Sequence, residues 1–218
     1  PSRLSAAYQT RLREQFAALR QPRGEQTAYR LEFRAGAIGP NALALPNGVI
    51  VLTDDMVRLA DSDEALLGVL SHELGHVQRH HSTRQILQAL GLGIMLNLWV
   101  GDVSSTLSAA PAILLTQRYS RDFEREADQY AIDMMRANSR PLEPMAVLFE
   151  TIAATRAGGD EQDGDDADGV TPDEALEQAD AAAPDDGEEE EEEILDFFSS
   201  HPGDAERIAR FRAADRQQ

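Results

Sequence analysis

The spacing of apolar residues sorts the chain into helical, extended and apolar-poor stretches. Leu4, Tyr8, Leu12, Phe16 and Leu19 recur at helical intervals, so residues 2–20 are expected to form an amphipathic helix. YRLEFRA at 29–35 alternates as a half-buried strand does. NALALP at 41–46 and VIVLT at 49–53 read as two further strands around the turn Pro46-Asn47-Gly48, with Leu43 and Leu45 able to face the interior. Three such strands predict a small antiparallel sheet. A helix capped by Asp61 or Ser62 follows, with Asp63 and Glu64 in its first turn, and runs on through SHELGHVQRHH at 71–81.

Residues 86–100, ILQALGLGIMLNLWV, are the most apolar stretch, interrupted by Gln88 and Asn97. They fall short of the roughly 20 residues a membrane span requires, which predicts a buried or interfacial helix. LSAAPAILL at 107–115 leads into a helix from about Ser120 to Ala137; another covers 145–156 beyond Pro141 and Pro144, and a last one follows His201-Pro202. The pattern gives an α+β fold, mainly α.

Composition changes this picture in one region. Between Asp160 and Glu193 stand eighteen acidic residues and no basic one, so removing them from the net charge of −19 leaves −1 for the remainder. Residues 158–193 offer almost nothing to bury and are expected to form a disordered acidic insert in a single domain built from 1–157 and 194–218. The near-neutral remainder has no basic patch to hold nucleic acid. With no cysteine, disulfides, thiolate metal sites and cysteine nucleophiles are excluded. The sequence opens at Pro1 with neither an initiator methionine nor a signal-peptide pattern, as expected of a piece of a longer protein.

Four of the five histidines lie in 71–81, and His72, Glu73 and His76 fit HExxH. Residues four apart share one face of a helix, so two imidazoles can grip one zinc ion while the adjacent glutamate reaches its water. Leu66, Val69, Leu70, Leu74 and Val77 surround the motif, which argues for burial and against a solvated, salt-bridged helix. A catalytic zinc needs a third protein ligand. In RYSRDFEREADQYAI at 118–132, Phe123, Ala127, Tyr130, Ala131 and, just beyond, Met134 form an apolar stripe, and Glu124 and Asp128 share a face bordering it. Glu126, about 200° round the helix from Glu124, points away. Glu124 is therefore the expected ligand, and Asp128 the carboxylate that holds a ligand imidazole through its second nitrogen.

HExxH, then Glu124-Asp128 as ExxxD, then His201-Pro202 with Arg207 six residues on, resembles the gluzincin zinc metallopeptidases that include HtpX, the CAAX prenyl endopeptidases and their periplasmic relatives. NALALPNG at 41–48 is similar to that family's edge-strand segment. The resemblance implies a zinc endopeptidase whose sheet edge packs against zinc-binding helices and receives an extended peptide along Asn41, Ala42, Leu43 and Ala44. It implies that Glu73 is the general base and that His201 and Arg207 assist at the oxyanion. His201 could instead fill the fourth zinc position, or merely precede a helix start. His80 and His81 read as surface or supporting residues. The resemblance further implies a polypeptide substrate, unfolded or damaged envelope proteins, and a periplasmic location with membrane association through an upstream segment or residues 86–115. The rival expectations are a chaperone-like envelope protein with a latent zinc site, and an interaction module working through the acidic tract.

Overall fold

The computed structural model describes residues 1–35, 39–88, 119–160, 201 and 205–217. Side-chain oxygens set where its helices begin. Ser5 accepts from the Tyr8 amide to open α1 (Ala6–Ala17), and Thr53 from Met56 to open the short α2 (Asp54–Leu59). Ser62 accepts from Ala65 to open α3 (Asp63–Gln78), and Ser120 from Phe123 to open α4 (Arg121–Ala137). Each bond satisfies an amide that the first helical turn leaves unpaired. Helices α5 (Glu143–Asp160) and α6 (Ala205–Asp215) follow. Of the two cap residues expected for α3, Ser62 does the work. The hydrophobic pattern does not announce α2, because VIVLT runs directly into it. Helix α5 continues to Asp160, so the backbone at 158–160 is helical. Residues 161–193 and 89–118, with most of both apolar stretches, and Pro202 lie outside the described residues. No helix among the described residues is long and apolar enough to cross a membrane.

The sheet corrects the expectation of antiparallel pairing throughout. Strands β1 (Arg30–Arg34), β2 (Ala42–Ala44) and β3 (Val49–Thr53) lie in the order β1-β3-β2. Strands β2 and β3 form an antiparallel hairpin, Ala42 opposite Leu52 and Ala44 opposite Ile50, whereas β1 pairs parallel with β3, Arg30 opposite Val49. The chain reverses once before β2 and again at Gly48, whose φ of 79° suits glycine at the turn. Two reversals leave β1 and β3 running the same way, so β1 can flank β3 only in parallel. That choice leaves β2 at the edge.

The side-chain alternation in β2 is also the reverse of expectation. Ala42 and Ala44 are buried, and Leu43 and Leu45 only half-buried. The small side chains let β2 lie close on α3, against which it packs. Helix α3 is the centre of the molecule, buried continuously from Ala65 to His76. A helix apolar on nearly every side belongs inside, and each buried leucine there contributes roughly 1.5–3 kcal/mol. Around it pack Leu12 and Phe16 of α1, the sheet, α4 and α5, with Phe211 of α6 meeting Phe149 edge-on at 5.5 Å. Helix α3 stops at Gln78 instead of running through the histidines. His80 takes a left-handed φ of 55°, and the chain is helical again over 81–88.

Candidate metal centre

Helix α3 places His72 and His76 one turn apart, with Nε2 atoms 3.0 Å from each other. Glu124 comes from α4, which can approach because residue 75 is glycine. A Cβ built there would stand 3.0 Å from both Ala127 Cα and Tyr130 Cβ, so the two helices touch backbone to backbone beside the histidines. Glu124 Oε2 is then 3.4 Å from His72 Nε2, and Oε1 is 3.4 Å from His76 Nε2. His201 closes the group from the segment before α6, with Nδ1 3.1 Å from Glu124 Oε1 and 3.4 Å from His72 Nε2. All four side chains are buried, and their donor atoms lie within 4.8 Å of one another.

The spacing is a test of fit. Tetrahedral zinc with ligands at roughly 2.0–2.1 Å sets its donors about 3.4 Å apart. With Glu124 Oε1 as the carboxylate donor, four of the six edges of the donor tetrahedron measure between 3.0 and 3.4 Å. Imidazole nitrogens and a carboxylate oxygen are also the donors zinc takes in a cysteine-free chain. The residues present fit the ion.

Outside the donors, His72 Nδ1 is 3.0 Å from Asp128 Oδ1, the spacing of a hydrogen bond that orients a ligand imidazole. Arg207 is nearly buried and holds both carboxylates of α4. It donates to the two Asp128 oxygens at 2.9 and 2.7 Å, and its Nη1 lies 2.8 Å from Glu124 Oε2. Sequence alone marks it as a surface arginine, and the resemblance as an oxyanion donor; its contacts are those of a clamp on Glu124 and Asp128. Glu73 is fully buried, with the Ala44 backbone amide directed at its carboxylate and His201 Nε2 3.5 Å from Oε1.

These contacts move the titrations. Burial pushes Glu73 up to about 8, eased by His201 and reinforced by Glu124. Burial would raise Glu124 too, but His201, His72 and His76 outweigh it and hold the carboxyl well below its usual range. Asp128 is likewise lowered, its burial overcome by Arg207 and His72. His72 is raised although burial opposes it, because Asp128 and Glu124 bond its charged form. Burial holds His76 well below the ordinary histidine value.

The edge strand borders this centre. Asn41 accepts from Thr53 N–H at 3.0 Å, and Leu45 N–H donates to Val49 at 2.8 Å. The alternate residues Ala42 and Ala44 therefore turn their backbone groups away from β3. The Ala44 carbonyl accepts from Ser82 Oγ at 2.5 Å, and the Tyr119 hydroxyl lies 3.5 Å from it. Tyr119 also stacks on His76 with ring centroids 4.1 Å apart. Nothing in the local sequence marks Ser82 or Tyr119, since each reaches the site through the fold. His81 faces inward and His80 outward, a distinction that the assumption of one continuous helix concealed.

The sequence pattern of peptidase family M48 matches residues 6–215. Metalloprotease YcaL of Escherichia coli (strain K12) is 27% identical over 129 residues, covering 54% of this chain and 49% of YcaL. Metalloprotease LoiP of the same organism is 29% identical over 125 residues, 54% of this chain and 49% of LoiP. The mitochondrial metalloendopeptidase OMA1 of Arabidopsis thaliana is 26% identical over 121 residues, 55% of this chain and 24% of the plant protein. The chain spans about half the length of the two bacterial relatives over which it matches. The family pattern runs from the first residue of α1 to the last of α6 and so takes in every donor described above: the chain belongs to peptidase family M48.

Proposed function

We propose that the chain is a zinc endopeptidase domain that hydrolyses extended polypeptide. The observation that carries this reading is the convergence of His72, His76 and Glu124 at the spacing of metal donors beside a fully buried Glu73. When bound, zinc supplies Lewis-acid chemistry, polarising a carbonyl and acidifying water. The chain's residues do the rest. Asp128 accepts from His72 Nδ1 and fixes which nitrogen faces inward, and Arg207 holds Asp128 and Glu124 in place. Glu73 takes a proton from water and returns it to the leaving amine. A pKa near 8 in these buried surroundings suits a group that must both accept and donate near neutrality. The edge strand β2 presents the Ala42 backbone to an extended peptide, which favours unfolded or damaged substrates over folded ones. An envelope setting is part of the same proposal, supported by the resemblance alone.

The position of His201 favours a second reading, a latent centre in which its Nδ1 takes the fourth corner. Glu73→Gln tests the first. It should keep zinc and fold but lose at least ~10²-fold in the digestion of an unfolded protein. Cleavage at the unaltered rate would refute the assignment. His201→Ala tests the second: hydrolysis should rise if the imidazole closes the centre and fall if it aids the reaction.

A further inference from the structure

His76 has a second partner on its outer side. Its Nδ1 lies 3.0 Å from Nδ1 of His81, whose Nε2 is in turn 3.3 Å from Glu126 Oε2. We propose that His81, backed by Glu126, is a positioning residue that fixes the tautomer and ring plane of the metal ligand His76, an inference that rests on the zinc reading above.

Proton bookkeeping gives the direction of the relay. Two imidazole nitrogens at 3.0 Å share one hydrogen, so one donates and the other accepts. If His76 offers its Nε2 lone pair to a metal, its hydrogen sits on Nδ1. His81 Nδ1 must then be bare, and the His81 hydrogen must sit on Nε2. There it meets Glu126, a carboxylate that only accepts. A single arrangement satisfies all three residues, and it presents a bare His76 Nε2 to the donor group. His81 cannot itself be a ligand in this geometry, because its contact with His76 is on the side away from the donors.

The local fold is built to hold this contact. In an uninterrupted helix a residue five positions on lies about 140° round and cannot meet His76. His80, at a φ of 55°, ends the helix and turns the chain so that His81 folds back. A non-glycine residue in that region carries strain of about 1 kcal/mol, which the surrounding structure must outweigh. His81 has no exposed surface, and its ring stacks on Phe123 at 4.3 Å and 7°. The Arg84 guanidinium covers the Phe123 ring at 4.3 Å. Helix α4 therefore serves the centre from two faces. Glu124 and Asp128 reach it directly, and Glu126, on the opposite side, reaches it through His81. The two ligand imidazoles are supported differently: His72 by buried Asp128, His76 by a histidine that ends at a carboxylate whose side chain is 46% exposed.

The test uses the metal-free protein, zinc alone and a competing chelator. His81→Phe preserves the stack on Phe123 but removes the acceptor, and His81→Asn restores an acceptor near the Nδ1 position. Loss of such an outer partner typically weakens metal binding about 10–100-fold, so His81→Phe should fall by that factor and His81→Asn should recover to within about 3-fold of the unaltered protein. Thermal melting of the metal-free forms accompanies the titration, because a purely structural role would weaken both variants in step with their stability. Unchanged zinc affinity in His81→Phe, or no recovery in His81→Asn, overturns the proposal. Should His81→Phe fail to fold, the unaltered zinc-loaded protein still decides by histidine side-chain nitrogen NMR. Hydrogen on His76 Nδ1 and on His81 Nε2 is expected, and any other pattern refutes the relay. If the unaltered protein takes up no zinc, the zinc reading fails, and the relay with it.

Discussion

Gly75→Ala is the smallest change that tests whether the packing of α3 on α4 makes the metal centre. A Cβ at position 75 would lie 3.0 Å from Ala127 Cα and 3.2 Å from Ala127 O, both backbone atoms that no rotamer change can move aside. Restoring ordinary contact near 3.4 Å requires α4 to retreat by roughly 0.4 Å, and overpacking of this kind costs about 1–3 kcal/mol. Alanine returns up to about 1 kcal/mol through its better helix propensity, so the net loss in the metal-free protein should be about 0–3 kcal/mol. The effect on zinc should be more telling. Glu124 rides on α4 one turn before Ala127, while His72 and His76 ride on α3, so the same retreat opens the donor spacing. Displacement of catalytic groups by 1 Å can lower rates by about 10²-fold, and roughly 0.4 Å should cost several-fold in both zinc affinity and hydrolysis. Urea unfolding of the metal-free forms and chelator competition measure the two effects separately. If Gly75→Ala is more stable and binds zinc as tightly as the unaltered protein, the close approach does not position Glu124, and the argument from packing to site fails.

Glu124→Ala should abolish tight zinc binding. Glu126→Ala should weaken it far less, since water can replace a half-exposed carboxylate behind His81; metal analysis after dialysis separates the two, and equal loss would refute the facing argument. Arg207→Ala strips the counter-charge from buried Asp128 and Glu124 and should destabilise the metal-free protein by about 3–5 kcal/mol in urea unfolding, whereas a surface arginine would show almost none. Zinc affinity should rise with pH, because the raised pKa of His72 means that it holds a proton which a cation must displace. A chelator competition series from pH 6 to 9 checks the sign, and a flat profile would refute the coupling.

Local periodicity revealed much of this architecture. The helical spacing of α1 and α4, the strand alternation of β1 and the fully apolar surround of HExxH all follow from residues within a few turns of one another. The shared face of Glu124 and Asp128 is legible for the same reason, and the structure brings both to the histidines. What escaped depends on events with no local period. The parallel pairing of β1 with β3 is decided by which flank of the hairpin β1 occupies. The break after Gln78 hinges on one left-handed residue, and histidine adopts that conformation too rarely to be read as a stop. Arg207 lies seventy-nine positions from Asp128, in a helix whose sequence alone suggests an exposed arginine.

The electrostatics of the core explain why these distant residues must meet. Glu124 and Asp128 are buried, and their lowered pKa values keep them ionised, so two negative charges sit inside the molecule against the single positive charge of Arg207. An interior cannot hold a third carboxylate unpaired. The chain alone resolves this by keeping a proton on Glu73, whose pKa is about 8, and by favouring the charged form of His72. Those protons serve as counter-charge, and each is also an obstacle: His72 needs a free Nε2 to be a ligand, and Glu73 needs its negative charge to be a base. A divalent cation at the four donors would supply the charge that the protons otherwise provide, and both residues could then lose their protons without leaving the interior unbalanced. Under the proposed zinc reading, ligand formation and base activation would be one electrostatic event, with Arg207 fixing how much negative charge remains to be balanced.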